Sequence, residues 1–212
     1  MSDISAFKEP GEQGSPEWLF ERVGYTTCSR FADVMDKLKN GTPGAKRKNY
    51  LLEVVAERLT GRPVEHYVNA AMERGTEMEP FARAAYEAYT GALVEETGFI
   101  HHPAIAMVGG SVDGLVDDDG IIEIKAPTTQ THIKTLLSQE CEHLPQIQGY
   151  LWLTGRKWAD FISFDDRVPA PLDLYIQRIE RDDAYIAALE AEVKVFLGEV
   201  DALVAKLQAR QV

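Results

Sequence analysis

The sequence predicts an α/β protein in which helices flank a central mixed sheet, and three observations lead to this fold class. In the first third of the chain, apolar residues recur at every third or fourth position, which is typical of amphipathic helices. In the middle, short β-branched segments alternate with glycines, as strands and their turns do. The end of the chain returns to the helical period. Because the 212 residues contain no repeat and no linker, we expect one domain over residues 1–212.

Three helices are predicted in the first third of the chain. Ser15 is a capping residue, and Pro16 after it suits the first helical position. A second helix is expected to begin near Ser29, a natural N-cap, and to end at the turn formed by residues 41–44. Its expected apolar residues are Phe31, Val34, Met35 and Leu38. The apolar stripe of residues 50–59 predicts a third helix, which the glycine and proline after it would end.

A fourth helix is expected over residues 68–89. Pro80 lies inside this span, and because a proline cannot donate the helical hydrogen bond, the helix must kink or restart just before it. Its apolar side is expected to consist of Phe81, Ala84, Ala85 and Ala88.

The remaining elements alternate between strands and helices. The predicted strands are residues 104–108, 111–116, 121–126, 158–164 and 172–179. The predicted helices are residues 131–137, residues 144–153 and a long amphipathic helix opened by Asp182 and Asp183.

The composition restricts the class of protein. The net charge is −12, from 22 Lys and Arg against 34 Asp and Glu, whereas nucleic-acid-binding proteins usually carry a basic surface. No segment approaches the ~20 consecutive apolar residues of a membrane helix, and the N-terminus lacks a signal-peptide pattern. Cys28 and Cys141 are too far apart in the sequence to form a metal-binding motif. We therefore expect a reduced, cytoplasmic enzyme or binding protein.

The positive charge is concentrated in one segment. Residues 37–62 contain seven bases and two acids, a local charge of +5, which leaves −17 for the remainder of the chain. The bases are Lys37, Lys39, Lys46, Arg47, Lys48, Arg58 and Arg62. This basic segment either contacts phosphate or is a solvated helix face, and charge alone does not decide between the two.

One predicted hairpin combines two carboxylates with a lysine. If Val116 pairs with Gly120 across the Asp-rich turn, Asp113 lies opposite Glu123, with Cβ atoms ~5 Å apart on one face. Lys125 points to that same face because strand side chains alternate. Two such carboxylates can share a hard cation such as Mg²⁺, and an ammonium can stabilise charge on a phosphate. The set suits metal-assisted phosphodiester hydrolysis, and the alternative is an exposed, charged hairpin face.

Further motifs lie in order on either side of this hairpin. They are Glu12-Gln13-Gly14-Ser15-Pro16-Glu17-Trp18 followed by Arg22 and Gly24, then Gly75-Thr76-Glu77-Met78-Glu79, the hairpin segments 110–114 and 123–127, and Pro145-Gln146-Ile147-Gln148-Gly149-Tyr150. Together they resemble the PD-(D/E)xK nucleases and, within these, the phage lambda exonuclease branch with its YqaJ-type viral recombinases. The resemblance runs from about residue 12 to the final helix. Several motifs in the right order are far more specific than any one of them.

The resemblance implies a restriction-endonuclease-like (PD-(D/E)xK) core and a Mg²⁺-dependent 5′-to-3′ exonuclease. Such an enzyme digests the 5′-phosphorylated strand of linear double-stranded DNA to mononucleotides and leaves a 3′ single-stranded tail for annealing-type recombination. The resemblance further implies two Mg²⁺ ions per site, with Mn²⁺ as an alternative, and a homotrimeric ring around the DNA. A single-strand annealing protein is the expected partner, in the cytoplasm of a bacterial or phage-infected cell.

The resemblance also implies roles for individual residues. Asp113, Glu123 and the backbone carbonyl of Ile124 would be metal ligands, with Glu79 nearby and acting directly or through water. Lys125 would orient the attacking water. The residues that would bind the 5′-phosphate are Arg22, Ser29, Ser111 and Gln146.

Two further roles implied by the resemblance are Met72 as an apolar wedge that separates the terminal base pair, and Lys39 as a contact to the duplex. Several of these side chains also have a structural interpretation. Arg22 could pair with a neighbouring glutamate, Gln146 could lie on a helix surface, and Met72 could fill a core. The histidines that match no ligand spacing, and that we interpret as structural, are His101, His102, His132 and His143.

Two other functions stay open at this point. An endonuclease of the same superfamily would need no pocket for a 5′-end, so Arg22, Ser29 and Gln146 argue against it. A non-enzymatic interaction protein that docks through its C-terminal helix would tolerate mutation of Asp113 or Lys125.

Overall fold

The computed structural model describes residues 15–64 and 70–210. The helices are α1 (Pro16–Glu21), α2 (Phe31–Val34), α3 (Ala45–Thr60), α4 (Ala70–Thr90), α5 (Thr129–Ser138), α6 (Leu144–Thr154) and α7 (Asp183–Gln208), and a 3-10 turn (Cys28–Arg30) precedes α2. The strands are β1 (Thr26–Thr27), β2 (Val94–Glu95), β3 (Ile100–His101), β4 (Val108–Gly110), β5 (Gly114–Val116), β6 (Gly120–Lys125), β7 (Trp158–Phe164) and β8 (Leu174–Glu180). Within these ranges, no helix combines the length and the apolarity that crossing a membrane requires.

The strands form two mixed sheets. The larger sheet has the order β2-β5-β6-β7-β8, in which β6 and β7 run parallel and all other neighbours antiparallel. The smaller sheet has the order β1-β4-β3, with β1 parallel and β3 antiparallel to β4. Helices pack on both faces of the larger sheet, so the predicted α/β class is confirmed.

The alternation of side chains along β6 and β7 divides the core into two clusters. Ile121 and Phe161 face the larger cluster, which α2, α3, α6 and α7 cover. Ile122 and Ile162 face the smaller cluster, which α4 covers. Because side chains alternate, Glu123 points to the face that α6 covers.

The capping residues and the glycine predicted at the ends of three helices are confirmed. Ser15 caps α1 by accepting a hydrogen bond from the backbone N–H of Trp18 at 3.1 Å. The residue after α3, Gly61, has a φ of 65°, a left-handed conformation that glycine adopts without strain. Asp182 caps α7 by accepting a hydrogen bond from the N–H of Tyr185 at 2.9 Å.

The second helix is shorter than predicted. It consists of a 3-10 turn and a single α-helical turn, and Ser29 lies inside the 3-10 turn, whose N-cap is Thr27. The chain then bends, because the Asp36 carboxylate accepts a hydrogen bond from the N–H of Lys46 at 2.9 Å and so caps α3. Leu38, expected on the apolar side, is 54% exposed.

The helix α4 corrects the expectation for its apolar side. It runs as one helix through Pro80, so of the predicted kink or restart the restart is absent, and its predicted beginning at residue 68 lies outside the described residues. Its buried side is formed by Ala82 and Tyr86. Of the residues predicted for that side, Ala85 is partly buried, and the exposed ones are Phe81, Ala84 and Ala88. On this buried stripe, the Tyr86 hydroxyl donates a hydrogen bond to the buried carboxylate of Asp160 at 2.8 Å, and Ala82 and Tyr86 pack on the sheet.

The strand predictions are accurate in the centre of the larger sheet and poor at its edge and in the smaller sheet. The predicted strands 121–126, 158–164 and 172–179 correspond to β6, β7 and β8. Of the predicted strand 104–108 only the last residue is extended, and β5 covers only the second half of 111–116. The missed strands β1, β2 and β3 have two residues each, and only pairing with a distant part of the chain defines them.

The basic segment of residues 37–62 contacts α7. Its Lys37, Arg47 and Arg58 form ion pairs with Glu192, Glu199 and Asp201, respectively. Its other bases, Lys39, Lys46, Lys48 and Arg62, are exposed. Three of the seven bases therefore bind α7, two of them from α3 and Lys37 from the loop before it, and four remain for solvent or phosphate.

Candidate active site

The hairpin of β5 and β6 brings two acidic residues to the same level. Val116 pairs with Gly120, which confirms the predicted register and places Asp113, one residue before β5, level with Glu123. The Asp113 carboxylate accepts a hydrogen bond from the backbone N–H of Ile124 at 2.7 Å. This bond ties Asp113 to β6, so both carboxylates lie at the end of the hairpin that is away from the turn.

Glu123 is buried, and its two carboxylate oxygens differ in their contacts. Oε1 accepts a hydrogen bond from Gln146 Nε2 at 2.6 Å and forms an ion pair with Lys125 Nζ at 2.5 Å. Oε2 is buried and has no hydrogen-bond partner among the described residues. A buried carboxylate oxygen without a partner costs free energy unless a cation or a donor binds it.

Negative charge accumulates around Glu123. Burial raises the pKa of its carboxylate to about 8, and the charge of Asp113 contributes to the rise. Burial and the charge of Asp113 also raise the pKa of Glu79, on α4, to about 7, although Arg83 lies 3.1 Å from that carboxylate. These carboxylates oppose one another's ionisation, and a cation placed among them would relieve the repulsion.

Lys125 carries positive charge at the end of β6. Burial lowers the pKa of its ammonium, but the charges of Glu123 and Asp113 outweigh burial and raise it overall. The ammonium is therefore a permanent cation beside the carboxylate pair at neutral pH.

These residues fit a divalent cation. Asp113 and Glu123 supply carboxylate oxygens, Ile124 can supply its carbonyl, and the unpartnered Oε2 of Glu123 is an available ligand atom. In the described part of the chain, no three His, Cys, Asp or Glu side chains lie close enough together to hold a metal by themselves. A cation here would therefore take further oxygen ligands from backbone, water or substrate, as Mg²⁺ usually does.

A second polar group lies next to the hairpin. The guanidinium of Arg22 lies 4.0 Å from the centre of the Trp18 ring and donates a hydrogen bond to Ser29 Oγ at 3.4 Å. Trp18 Nε1 donates a hydrogen bond to Ser111 Oγ at 2.8 Å, and Ser111 stands two residues before Asp113. Burial lowers the pKa of the Arg22 guanidinium. The structure thus brings together Arg22, Ser29 and Ser111, three of the residues predicted to bind a phosphate, beside the carboxylate pair.

Gln146, the fourth of these residues, points to the carboxylates. It is buried, and its Nε2 donates hydrogen bonds to Glu123 Oε1 at 2.6 Å and to the Tyr150 hydroxyl at 3.1 Å. A Cβ atom on Gly110 would come within 2.7 Å of the Tyr150 ring, so this glycine allows β4 to approach α6 closely. The helix-surface interpretation of Gln146 is wrong, because the side chain is turned inwards.

Two predicted contacts to the duplex lie apart from this site or cannot be located. Lys39 is exposed, in the turn between α2 and α3. The backbone of Met72 belongs to α4, but its side chain lies outside the described residues, so neither the wedge nor the core interpretation is tested.

Sequence reasoning assigned no role in the site to three of its residues. Trp18 and Tyr150, which it named only within motifs, link the parts of the site, and each stands one helical turn from a residue with an assigned role, so spacing could have indicated their contacts. His143 precedes α6, and its ring lies 5.7 Å from that of Phe161. Burial and the nearby charge of Lys125 lower the pKa of His143 to about 4, so its ring is neutral at pH 7.

Comparisons with known proteins show which family and which solved structures the chain is similar to. Residues 17–157 match the family described as YqaJ-like viral recombinase domain. An alkaline exonuclease (LHK-Exo) from Laribacter hongkongensis is 47% identical, with a TM-score of 0.86 over 92% of this chain and 97% of that chain, and LHK-Exo in complex with dAMP gives the same values. A phage-related exonuclease from Haemophilus somnus 129PT is 18% identical and shares the fold, with a TM-score of 0.68 over 86% of this chain and 96% of that chain. Comparison with curated protein sequences gives no significant match.

Proposed function

The chain belongs to the YqaJ-like viral recombinase domain family and is a deoxyribonuclease with a PD-(D/E)xK fold, and we propose that it is a Mg²⁺-dependent 5′-to-3′ exonuclease. It digests the 5′-phosphorylated strand of linear double-stranded DNA to mononucleotides and leaves a 3′ single-stranded tail for annealing-type recombination. One observation carries the proposal: Ser111, which Trp18 links to Arg22 and Ser29, stands two residues before Asp113, and Asp113 lies level with Glu123 in the hairpin.

The proposed Mg²⁺ ligands are the carboxylates of Asp113 and Glu123 and the carbonyl of Ile124, with Glu79 close by. Two bound ions would stabilise the attacking water and the leaving oxygen, and Mn²⁺ would serve as well because it accepts the same oxygen ligands. The unpartnered Oε2 of Glu123 supports this proposal, since the cation would satisfy a buried oxygen that the chain itself does not.

The chain's own residues orient the reactants. Lys125, held 2.5 Å from Glu123, is placed to bind the attacking water and to offset the charge that develops on the phosphate. Gln146 holds Oε1 of Glu123, and this contact keeps the carboxylate from rotating. His143 is half-buried and neutral at pH 7, so Lys125 provides the positive charge at this end of β6.

The pocket of Arg22, Ser29 and Ser111 is proposed to bind the 5′-phosphate of the DNA end. A guanidinium and two hydroxyls are suitable donors to a phosphate, and Trp18 holds both Arg22 and Ser111 in place. The related LHK-Exo has a structure in complex with dAMP, a 5′-phosphorylated mononucleotide, and this supports binding of such a phosphate by the present chain. An endonuclease has no need of it, which is why we favour the exonuclease.

The remaining parts of the proposal concern the assembly. We expect a homotrimeric ring around the DNA, with Lys39 touching the duplex and Met72 separating the terminal base pair. A single-strand annealing protein of the same recombination system is the expected partner, in the cytoplasm of a bacterial or phage-infected cell. The exposed bases of the basic segment are available to such a channel.

The test is digestion of a linear duplex labelled on one strand, in Mg²⁺ and in EDTA. It compares 5′-phosphate ends with 5′-hydroxyl ends, a covalently closed circle, and the variant Arg22→Ala. We expect metal-dependent loss of the 5′-phosphorylated strand, an intact circle, and a weaker preference for the phosphate in the variant. Cleavage of the circle would favour the endonuclease, and no cleavage of any substrate would favour the non-enzymatic interaction protein.

A further inference from the structure

A second buried carboxylate, outside the candidate active site, lies just after β7. Asp165 is fully buried and accepts hydrogen bonds from three side chains. Thr129 Oγ1, in the first residue of α5, donates at 2.6 Å, and Arg167 donates through Nε and Nη2 at 2.6 and 2.9 Å. Arg74 Nη2, on α4, donates at 3.2 Å. We name these four residues the Asp165 network.

The Asp165 network binds the segment that follows β6, directly after Lys125. The strands β6 and β7 are parallel, and Lys125 pairs with Ser163, so Pro127 and Asp165 each stand two residues beyond this pair. Arg167 Nη2 donates a hydrogen bond to the carbonyl of Pro127 at 3.2 Å while its Nε is bound to Asp165. The position of Lys125 at the end of β6 is therefore tied to Asp165.

The same network holds the part of α4 that carries Glu79. Arg74 stands five residues before Glu79 and pairs with both Asp165 and Asp166. Pro80, directly after Glu79, donates no helical hydrogen bond, so this first part of α4 is less firmly joined to the remainder. The part after Pro80 packs on the sheet through apolar side chains.

We propose that Asp165 is a positioning residue of the nuclease, which fixes Glu79 through Arg74 and Lys125 through Arg167. The inference rests on the proposed function, but Asp165 lies outside every motif from which that function was predicted. A displacement of about 1 Å between reacting groups lowers a rate roughly 100-fold, so this link affects the reaction without touching DNA.

Asp160 provides a matched control. It is a buried carboxylate on β7, five residues before Asp165, and level with Ile122 rather than with the active site. Arg178 donates two hydrogen bonds to it, at 2.7 and 2.8 Å, and Tyr86 donates a third at 2.8 Å. Its loss removes a comparable set of bonds from the sheet and from the part of α4 after Pro80, away from the part that carries Glu79.

The experiment compares the wild type with Asp165→Asn and Asp160→Asn, all below their melting temperatures. Digestion of a linear 5′-phosphorylated duplex gives kcat and KM, and calorimetry without DNA gives the affinity for Ca²⁺, a cation with the same oxygen ligands. We expect Asp165→Asn to lower kcat and Ca²⁺ affinity by about 10- to 100-fold with KM unchanged. Asp160→Asn is expected to lower the melting temperature alone.

Equal kcat and Ca²⁺ affinity in the two variants would overturn the proposal, as would a change in KM alone. If Asp165→Asn does not fold, the variant Arg74→Ala tests the proposal instead, because it keeps Asp165 paired with Arg167. Loss of kcat and of Ca²⁺ affinity in this variant would support the proposal, and unchanged values would overturn it. Absence of nuclease activity in the wild type would instead refute the proposed function, so the two failures are distinguishable.

Discussion

Glu123 and Asp165 are both buried carboxylates near the same end of two central strands of the larger sheet. Glu123 lies on β6, and Asp165 lies just beyond β7. Burial opposes the ionisation of each. At Asp165, hydrogen bonds from Arg167 and Thr129 outweigh burial and hold the pKa well below its ordinary value. At Glu123, the charge of Asp113 adds to burial, and the pKa rises to about 8.

The difference between the two carboxylates lies in their partners. The chain itself supplies donors to both oxygens of Asp165, whereas Oε2 of Glu123 has no partner in the part of the chain that the structure describes. A satisfied buried charge joins the elements around it, and an unsatisfied one is a local cost that a ligand can remove. One end of the larger sheet thus contains a carboxylate whose two oxygens are satisfied within the chain and another with an oxygen that the described residues leave without a partner.

The largest expected effect concerns the surroundings of Glu123 and is measured as a rate of DNA digestion. Lys125→Ala removes the ammonium beside Glu123, and we expect digestion of a linear 5′-phosphorylated duplex to slow by about 100- to 1,000-fold. Lys157→Ala is the control, because Lys157 pairs with Asp119 at the turn end of the hairpin, at 2.8 Å, and should leave the rate unchanged. Equal rates in the two variants would mean that the position of the ammonium is unimportant.

The next largest effect concerns Asp165 and is measured as the free energy of unfolding. Asp165→Asn replaces a carboxylate bound by two arginines, and we expect the free energy of unfolding in urea at pH 7 to fall by about 2–4 kcal/mol. Because folding lowers the pKa of Asp165, its contribution is present above the ordinary carboxyl pKa of about 4 and is lost as the pH falls below it. Wild-type and variant stabilities should therefore converge in acid, and a constant difference down to pH ~2 would contradict this assignment.

The smallest expected effect concerns Glu123, where a substitution is expected to raise the free energy of unfolding rather than lower it. Folding raises the pKa of Glu123 to about 8, so its contribution to stability is greatest in acid and is lost as the pH rises towards 8. In EDTA at pH 8, we expect Glu123→Gln to be more stable than the wild type by about 1 kcal/mol, although it no longer binds Ca²⁺ in calorimetry. Urea unfolding from pH 5 to 8 measures this: the wild type should lose stability as the pH rises, and Glu123→Gln should lose less. Equal slopes in the two proteins would contradict the contrast between Glu123 and Asp165.

Local patterns were enough to predict the long elements and the hairpin. The register of Val116 with Gly120 followed from the turn residues, and with it the meeting of Asp113 and Glu123. The stripe of α4 that faces the sheet was not predictable in this way. The helical period allows either side of α4, and the hydroxyl bond from Tyr86 to Asp160, 74 positions away, accompanies the side that is buried.

Contacts between distant positions account for most of what the sequence did not predict. Trp18 and Ser111 are 93 positions apart, and nothing in either segment indicates the hydrogen bond between them. Asp165 stands in a short charged segment that reads as an exposed loop, but it follows a buried strand directly. An acidic residue at that place, with an arginine two positions later, is a signal that could have indicated a buried ion pair.

The pairing of α3 with α7 has a consequence for the order of synthesis. The ring of Tyr50 stacks on that of Phe196 with centroids 5.2 Å apart, and Arg47 is buried against Glu199. A ribosome completes α3 at residue 60 and starts α7 only at residue 183, so most of the chain emerges before α3 has its cover. The nascent protein therefore carries the uncovered apolar stripe of α3 through most of its translation, which makes chaperone binding most useful before the last helix emerges.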